Sequence, residues 1–424
     1  MRRPRIGATP LRALLPLALL LFPVPRALAG DFYLRDGDRV VFYGDSITQQ
    51  RLYTEPVEWF VLTRFPSMDV SFVHSGVGGD SVTGGWAGTI NQRLDRDVLA
   101  YKPTVLTIML GMNDGGYKPF DQATFETYAS GYRHILARVK NALPGIRITL
   151  IQPSPFDDVT RPPTFPEGYE AVLRRYGRFV AELGKEQGCL VVDFGSPVVS
   201  AMERVNKANA QLARQLVPDR VHPAESAALV MAAALLRAWG APEVVSSVEI
   251  DAAAGRATQQ KRSAVSDVAK TPAGVSWTAL DDSLPLPVDP SDAVVELAEL
   301  AGASLLDLGR QSLRVTGLPG GRFVLKIDGD GVGTTFTSAE LAEGIDLSRF
   351  ETPLVQQAMQ VRWATSDHNE ARAMRMKLLV KSAADPDAPA AARLLDRVDA
   401  AAVKAQHEVA RPKARHYEIL AETP

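Results

Sequence analysis

Short apolar runs alternate with amphipathic stretches through the first 240 residues of the chain. Near-continuous apolar runs of this length are typical of strands in a parallel sheet that is covered on both faces. The alternation therefore predicts an α/β fold, a three-layer α/β/α sandwich with right-handed crossovers. The predicted strands are 39–43, 69–74, 104–110, 147–152 and 189–193, and the predicted helices are 56–65, 89–100, 121–143, 167–187, 197–214 and 223–239.

The pattern changes after Gly240. Residues 252–272 are rich in Ala, Lys, Arg, Gln and Ser, and this composition favours a linker or an exposed helix. Short strands with hairpin-type turns are expected from about 275 to 345, and helices from about 352 to 410. We therefore expect two parts, 30–242 and a smaller β-rich and helical C-terminal region, 243–424.

The N-terminal segment has the pattern of a secretory signal peptide. Arg2, Arg3 and Arg5 precede an apolar run at 14–24, and Ala27-Leu28-Ala29 matches a cleavage site. The run is too short to span a bilayer of about 30 Å. Residues 1–29 are thus interpreted as a signal peptide, with an uncleaved membrane anchor as the alternative. This predicts a secreted or periplasmic protein with no stable membrane insertion after cleavage.

Composition excludes several classes of protein. With 46% hydrophobic and 23% charged residues, the 424-residue chain is neither disordered nor collagen-like nor a coiled coil. Its formal net charge of −2 gives no basic field for nucleic acid. Cys189 is the only cysteine, so no intramolecular disulfide is possible, and a buried structural thiol is expected there.

Four short segments at predicted strand ends carry candidate chemistry. Gly44-Asp45-Ser46 follows the first strand, at the sheet edge where open α/β sheets bind ligands. Taken alone, Ser46 could equally cap the next helix. Gly79 lies in a glycine-rich turn after the second strand, where backbone N–H groups can approach a ligand closely. Asn113 follows the third strand, and its amide can donate a hydrogen bond to an oxyanion.

The fourth segment places Asp219 three residues before His222, just ahead of the last predicted helix of the sandwich. At this spacing on a turn, the aspartate can contact the histidine and fix its tautomer. A histidine held in this way can take the proton of a serine hydroxyl, which is otherwise a weak nucleophile. These residue types therefore predict acyl transfer through a serine.

The four segments, in this order, resemble the SGNH hydrolase superfamily, also called GDSL esterases/lipases. No Gly-x-Ser-x-Gly elbow of the α/β-hydrolases occurs in the chain. The resemblance covers roughly residues 37–240 and implies a parallel, flavodoxin-like sheet, an acyl-enzyme mechanism and no cofactor. The residues it implies are Ser46, Asp219 and His222 for catalysis, and the backbone N–H groups of Ser46 and Gly79 with the Asn113 amide for the oxyanion hole.

A proline-rich segment, 153–166, follows the fourth strand at the same sheet edge as Ser46. We expect it to form a wall of the substrate cleft, with Phe156, Tyr117 and Trp86 as substrate-binding residues. The alternative is a purely structural loop.

The sequence thus predicts a secreted serine ester hydrolase whose partner is a small-molecule or polysaccharide ester. A β-like companion region in an exported enzyme favours acetylated or short-chain acyl sugars. Two alternatives stay open, an SGNH-type O-acyltransferase and a catalytically inactive carbohydrate-binding protein. No metal site is predicted, because no histidine has a ligand partner at short spacing and the 328–331 turn lacks the final glutamate of a calcium loop.

Overall fold

Five parallel strands form the sheet at the centre of the first part of the molecule. The computed structural model describes residues 32–303, 305–382 and 385–422, and the predicted signal peptide, 1–29, lies outside these ranges. The strands in chain order are β1 (Arg39–Gly44), β2 (Ser71–Gly76), β3 (Gly84–Gly85), β4 (Gly88–Thr89), β5 (Val105–Met109), β6 (Arg147–Ile151) and β7 (Leu190–Val192), of which β3 and β4 form a separate small hairpin.

The sheet has the order β2-β1-β5-β6-β7, which confirms the predicted flavodoxin-like sandwich. Its strands are buried almost throughout, because helices cover both faces of a parallel sheet. The strand order reverses at β1, so the crevice for a ligand is expected beyond the carboxyl ends of β1 and β5.

The helices of this part form two packed groups. One group joins α2, α6 and α8, and the other joins α3, α4 and α5 through contacts such as Tyr128 with Tyr176. The nearly continuous burial of α8 explains its almost wholly apolar sequence. In chain order the helices are α1 (Ser46–Gln49), α2 (Thr54–Arg64), α3 (Ile90–Asp97), α4 (Gln122–Ala142), α5 (Tyr169–Gln187), α6 (Gly195–Ala208), α7 (Ala210–Ala213) and α8 (Glu225–Ala238), with a 3₁₀ turn at Leu99–Tyr101.

The C-terminal region combines strands and helices. Its strands are β8 (Val244–Asp251), β9 (Arg256–Lys261), β10 (Ser263–Thr271), β11 (Gly274–Asp281), β12 (Arg310–Thr316), β13 (Arg322–Ile327), β14 (Asp330–Thr337), β15 (Ile345–Asp346) and β16 (Arg415–Ala421). Its helices are α9 (Ala293–Leu300), α10 (Ser338–Glu343), α11 (Pro353–Lys381) and α12 (Ala388–Val409), with 3₁₀ turns at Leu306–Gly309 and Leu347–Arg349.

The expectation of a linker or an exposed helix over 252–272 was wrong, because that segment contains β9 and β10. Arg262 joins the two strands with a left-handed backbone, at φ 55°. Most side chains of β9 and β10 are exposed or only half-buried, so the segment lacks the alternation of apolar and polar residues that marks a strand.

Two sheets organise the C-terminal region, in the orders β10-β11-β16-β13-β14 and β15-β12-β8-β9. The last strand, β16, lies at the centre of the first of these sheets, where it pairs with both β11 and β13. Between them lies an apolar core of their own, which includes Trp277, Phe323, Leu325 and Ile419.

The C-terminal region also packs onto the α/β part. Leu284, Leu297, Leu306, Ala358 and Val361 belong to the same buried apolar cluster as the central sheet. The fully buried Arg64 of α2 donates hydrogen bonds to the carbonyls of Pro242 and Leu308, each at 2.6 Å. Helix α11 runs across α2 and β2. In the part of the chain that the structure describes, no helix has the length and apolar character to cross a bilayer.

Candidate active site

Ser46 lies at the carboxyl end of β1, as the first residue of α1. The chain turns sharply there, and a Cβ atom on Gly44 would lie 2.7 Å from the carbonyl oxygen of Met109, so only glycine fits. The buried Asp45 caps α1, since its carboxylate accepts a hydrogen bond from the Ile47 N–H at 3.0 Å. This tight, capped turn fixes the direction of the Ser46 side chain.

A chain of short hydrogen bonds joins Ser46, His222 and Asp219. The Ser46 Oγ lies 2.9 Å from His222 Nε2, and His222 Nδ1 lies 2.6 Å from Asp219 Oδ2. The structure thus brings Ser46 together with Asp219 and His222, which lie 173 and 176 positions further along the chain, as the sequence predicts. With Nδ1–H donating to Asp219, Nε2 is free to accept the serine proton.

The Asp219 carboxylate also orders the backbone of its own turn. Its Oδ1 accepts hydrogen bonds from the N–H of His222 at 2.7 Å and of Val221 at 2.9 Å. Partial burial alone would raise the pKa of Asp219, but these N–H donors and the His222 ring hold that pKa below its ordinary value. The carboxylate therefore stays ionised and can stabilise a positive charge on His222.

Hydrogen bonds connect the proline-rich segment to the Asp219–His222 turn. Arg220, held with a left-handed backbone at φ 74°, donates to the Pro162 carbonyl at 2.9 Å, and its own carbonyl accepts from the Asp157 N–H at 2.9 Å. Arg161 donates to the Pro218 carbonyl at 2.6 Å. These bonds tie the Asp219–His222 turn to the 153–166 segment on both sides.

Gly79 and Asn113, two of the candidate oxyanion residues, lie in the loops after β2 and β5. Gly79 has φ 74°, a backbone conformation that L side chains rarely adopt, and its N–H donates to no other described residue. A Cβ on the adjacent Gly78 would lie 3.8 Å from Ser46 Cβ, which places this turn against the nucleophile. Asn113 Nδ2 donates to the Asp80 carbonyl at 2.9 Å, and its second N–H remains for an oxyanion.

Tyr117 holds the Asn113 amide in its orientation. Its hydroxyl donates to Asn113 Oδ1 at 3.0 Å, which leaves Nδ2 facing the Asp80 carbonyl. Tyr117 has φ 57°, which a bulky residue adopts only where its surroundings enforce it. Its ring is partly exposed and packs on Phe156 and Tyr169.

Tyr117→Phe is expected to lower kcat about tenfold with little change in KM, because the loss of one hydrogen bond of about 1 to 1.5 kcal/mol lets the Asn113 amide turn. Asn113→Ala should lower kcat further, by about 10² to 10³, since it removes the donor itself. Steady-state kinetics on p-nitrophenyl acetate separate the two effects. Tyr101→Phe is the control, because Tyr101 lies just before the start of β5, at the opposite end of this strand from Asn113. A Tyr117→Phe enzyme with unchanged kcat would contradict the positioning role.

The other two expected substrate-binding residues differ in exposure. Trp86 is 58% exposed, and its indole N–H donates to the Gly78 carbonyl at 2.8 Å, beside the candidate oxyanion turn. Phe156 is only 6% exposed; it packs under Tyr117 and beneath the Arg220 guanidinium. In this structure the Phe156 side chain therefore supports the site from within and does not line an open cleft.

Two buried carboxyl groups brace the loops around the site. Asp45 caps α1, and Asp114 Oδ1 accepts from the Val82 N–H at 2.9 Å. Burial raises the pKa of each to about 7. Cys189 is a free thiol, half-buried, and burial raises its pKa, which makes it a poor nucleophile. No cluster of three or more potential metal ligands occurs within the described ranges.

A buried polar cluster around Glu58 connects α2 and β2 to the C-terminal region. The sequence does not reveal this cluster. Glu58 of α2 accepts from His74 at 2.8 Å on one oxygen and from His368 of α11 at 2.6 Å on the other. The side-chain amides of Asn369 and Gln406 also donate hydrogen bonds to the Glu58 carboxylate. His74 lies in β2, two residues before the strand ends, but His368 is 294 positions further on, so no local spacing could have paired them.

Comparison with known proteins bears on this geometry. Residues 42–228 match the GDSL-like lipase/acylhydrolase family, and this span includes every candidate catalytic residue. This match places residues 42–228 in the SGNH, or GDSL-like, hydrolase superfamily. With this domain the protein is a carboxylic ester hydrolase, and both expectations from the sequence are thereby confirmed.

Individual relatives of this SGNH hydrolase extend the comparison. An acetylxylan esterase from Geobacillus stearothermophilus is 25% identical over 231 residues, which are 48% of this chain and 94% of that protein. A crystal structure of such an esterase covers 49% of this chain with a TM-score of 0.41. A gut microbial diltiazem-metabolizing enzyme, 24% identical, has a TM-score of 0.81 over 92% of this chain and 98% of its own. It therefore shares the whole fold, including the C-terminal region.

Proposed function

We propose that this protein is an exported deacetylase of saccharides, which removes acetyl or other short acyl groups through an acyl-enzyme on Ser46. The observation that carries the proposal is the hydrogen-bonded chain from Ser46 Oγ through His222 to Asp219, at 2.9 and 2.6 Å. Similarity to an acetylxylan esterase supports an acetylated sugar as the substrate class. The signal-peptide pattern of residues 1–29 supports export to the periplasm or the medium.

The proposed reaction begins with attack of Ser46 Oγ on the acetyl carbonyl carbon, while His222 Nε2 takes the hydroxyl proton. Negative charge develops on the carbonyl oxygen, and the N–H groups of Ser46 and Gly79 and the Asn113 amide stabilise it. When the ester C–O bond breaks, His222 returns the proton to the leaving sugar oxygen. Asp219 stabilises the imidazolium between these two proton transfers.

The second half of the cycle uses water as the nucleophile. His222 takes a proton from the water as the water oxygen bonds to the acyl carbon, and the proton then passes to Ser46 Oγ as the acyl-enzyme bond breaks. Acetate leaves and Ser46 is restored. A sugar hydroxyl in place of water would make the enzyme an acyltransferase, so the choice of acceptor distinguishes the two activities.

The substrate proposal is tested by acetate release from acetylated xylo-oligosaccharides beside hydrolysis of p-nitrophenyl acetate, butyrate and octanoate. We expect the largest kcat/KM for the acetyl esters and a steep fall with acyl length, with free acetate as the product even when a free xylo-oligosaccharide is added. Preference for octanoate would contradict the saccharide deacetylase. Transfer of the acetyl group to the added sugar would assign the enzyme to the transferases.

A further inference from the structure

An open cleft of about 450 Å³ lies where α11 passes the start of α2 and of α8. Its volume falls within the range of ligand sites, which is roughly 300 to 1,000 Å³. We refer to it as the α11 cleft. It is lined from the α/β part by Arg51, Glu55 and Glu225 and from the C-terminal region by Asp292, Arg362 and Trp363, among others.

Two residues that line the α11 cleft are close in the chain to the nucleophile and its base. Arg51 is five residues after Ser46, and hydrogen bonds from the Gln50 N–H to the Ser46 carbonyl and from the Arg51 N–H to the Thr48 carbonyl keep the stretch between them compact. Glu225 is three residues after His222, a path of at most about 11 Å. Because Ser46 and His222 are in hydrogen-bond contact, Arg51 and Glu225 place one end of the cleft near the reacting centre.

The side chains of the α11 cleft suit a neutral ligand with many hydroxyl groups. Glu225, Arg362 and the Trp363 indole N–H make no hydrogen bond or ion pair with another described residue, whereas Arg51 and Glu55 pair at 2.8 Å. Trp363 is 60% exposed, so the face of its ring is open. A sugar hydroxyl both donates and accepts, and the C–H groups of a sugar face can pack on the negative face of an indole ring.

Other ligand classes fit this cleft less well. An acyl chain suits an enclosed apolar pocket, whereas this cleft is open and carries charges of both signs among apolar residues such as Leu52, Trp59 and Val295. A phosphorylated or otherwise anionic ligand requires an excess of positive charge, but Arg51 and Arg362 are outnumbered by Glu55, Glu225 and Asp292. The cleft therefore favours an uncharged ligand with polar and apolar faces over an acyl chain or an anion.

We propose that the α11 cleft binds the sugar units next to the acetylated one in an oligosaccharide substrate, with Trp363 as the stacking surface. The inference rests on the proposed function, because it needs a saccharide at Ser46. It assigns a binding role to the C-terminal region, which supplies Arg362 and Trp363. The enzyme would then distinguish acetylated chains from acetylated single sugars.

The test compares full-length wild type, Trp363→Ala and Arg362→Gln on acetylated xylotetraose and on p-nitrophenyl acetate. The measured quantity is the ratio of kcat/KM for the tetraose to kcat/KM for the small ester. Loss of about 1.4 kcal/mol of stacking lowers this ratio about tenfold in Trp363→Ala. Arg362→Gln lowers it several-fold. Met374→Ala is the matched control, because Met374 is equally exposed on the same helix but does not line the cleft.

The outcomes separate this inference from the proposed function. Suppose that wild type deacetylates the tetraose and that both cleft variants and Met374→Ala give the same ratio. This result would refute sugar binding in the α11 cleft and would agree with the proposed deacetylase activity. A wild type that cleaves p-nitrophenyl acetate but no acetylated xylotetraose overturns the saccharide substrate and the cleft together. Circular dichroism and the melting temperature show that each variant is folded.

Discussion

Ser46→Ala is expected to lower kcat by about 10⁴ to 10⁶ while leaving the fold intact, because removal of the nucleophile ends the acyl-enzyme route and leaves only binding and the oxyanion donors. His222→Ala should give a loss of similar size, and the double variant should lose no more than either single one, since the residues act as a unit. Acetate release in the steady state measures each variant.

Covalent labelling provides the second readout for Ser46. A fluorophosphonate should label wild type at this residue and leave Ser46→Ala unlabelled, because within the described ranges no other serine contacts His222. Ser130→Ala is the control, since this serine is exposed on α4 and bonds only its own helix. Labelling of Ser46→Ala at another serine, with activity retained, would refute the proposed nucleophile.

The sheet was predictable because its strands carry their own signal. Each of β1, β5 and β6 is a nearly unbroken apolar run, and each is followed by a polar or glycine-rich turn at the edge where ligands bind. The Ser46–His222 contact could be expected for a related reason, since Ser46 follows β1 at this edge and His222 lies in the turn just before α8. Residue types at strand ends therefore indicate the site.

The features that were not predictable depend on contacts between distant segments. Trp363 is an exposed residue of α11, and only the packing of α11 on α2 brings it to the α11 cleft. Strands β9 and β10 have no fully buried residue, and only a few apolar side chains such as Val265 and Val268 pack against the core, so their sequence carries little strand periodicity. Tyr117 was expected to contact substrate, whereas its hydroxyl bonds Asn113, an orientation that no pattern encodes.

A buried ion pair lies at the contact between α2 and the C-terminal hairpin of α11 and α12. Glu58 and His368 are 2% and 1% exposed, and their side chains meet at 2.6 Å. Although burial alone lowers the pKa of His368, the Glu58 carboxylate and Asp399 raise it to about 9. For the Glu58 carboxyl, burial alone would raise the pKa, but His368 and His74 hold that pKa well below its ordinary value. The pair is therefore ionised near neutral pH, with Arg372 as a further cation beside Asp399.

Glu58→Gln should lower the free energy of unfolding by about 3 to 5 kcal/mol, because it leaves the His368 imidazolium buried without its main partner. The double variant Glu58→Gln/His368→Gln should recover a large part of this loss, since neither charge is then buried. Denaturant unfolding at pH 7 measures all three proteins. Glu186→Gln is the matched control: its pair with Arg133 is half exposed on each side and is worth no more than about 1 kcal/mol.

The same pair fixes the direction of a pH effect. Because the pKa of His368 is raised in the folded protein, its contribution to stability is complete below its ordinary value of 6.5 and is lost as the pH rises through about 9. The free energy of unfolding of wild type should therefore fall over this interval more steeply than that of the double variant. If Glu58→Gln were as stable as Glu186→Gln and followed the wild-type pH curve, the buried pair would not hold α11 against α2. Such a result would place the attachment of the C-terminal region in the apolar contacts of Ala358 and Val361 instead.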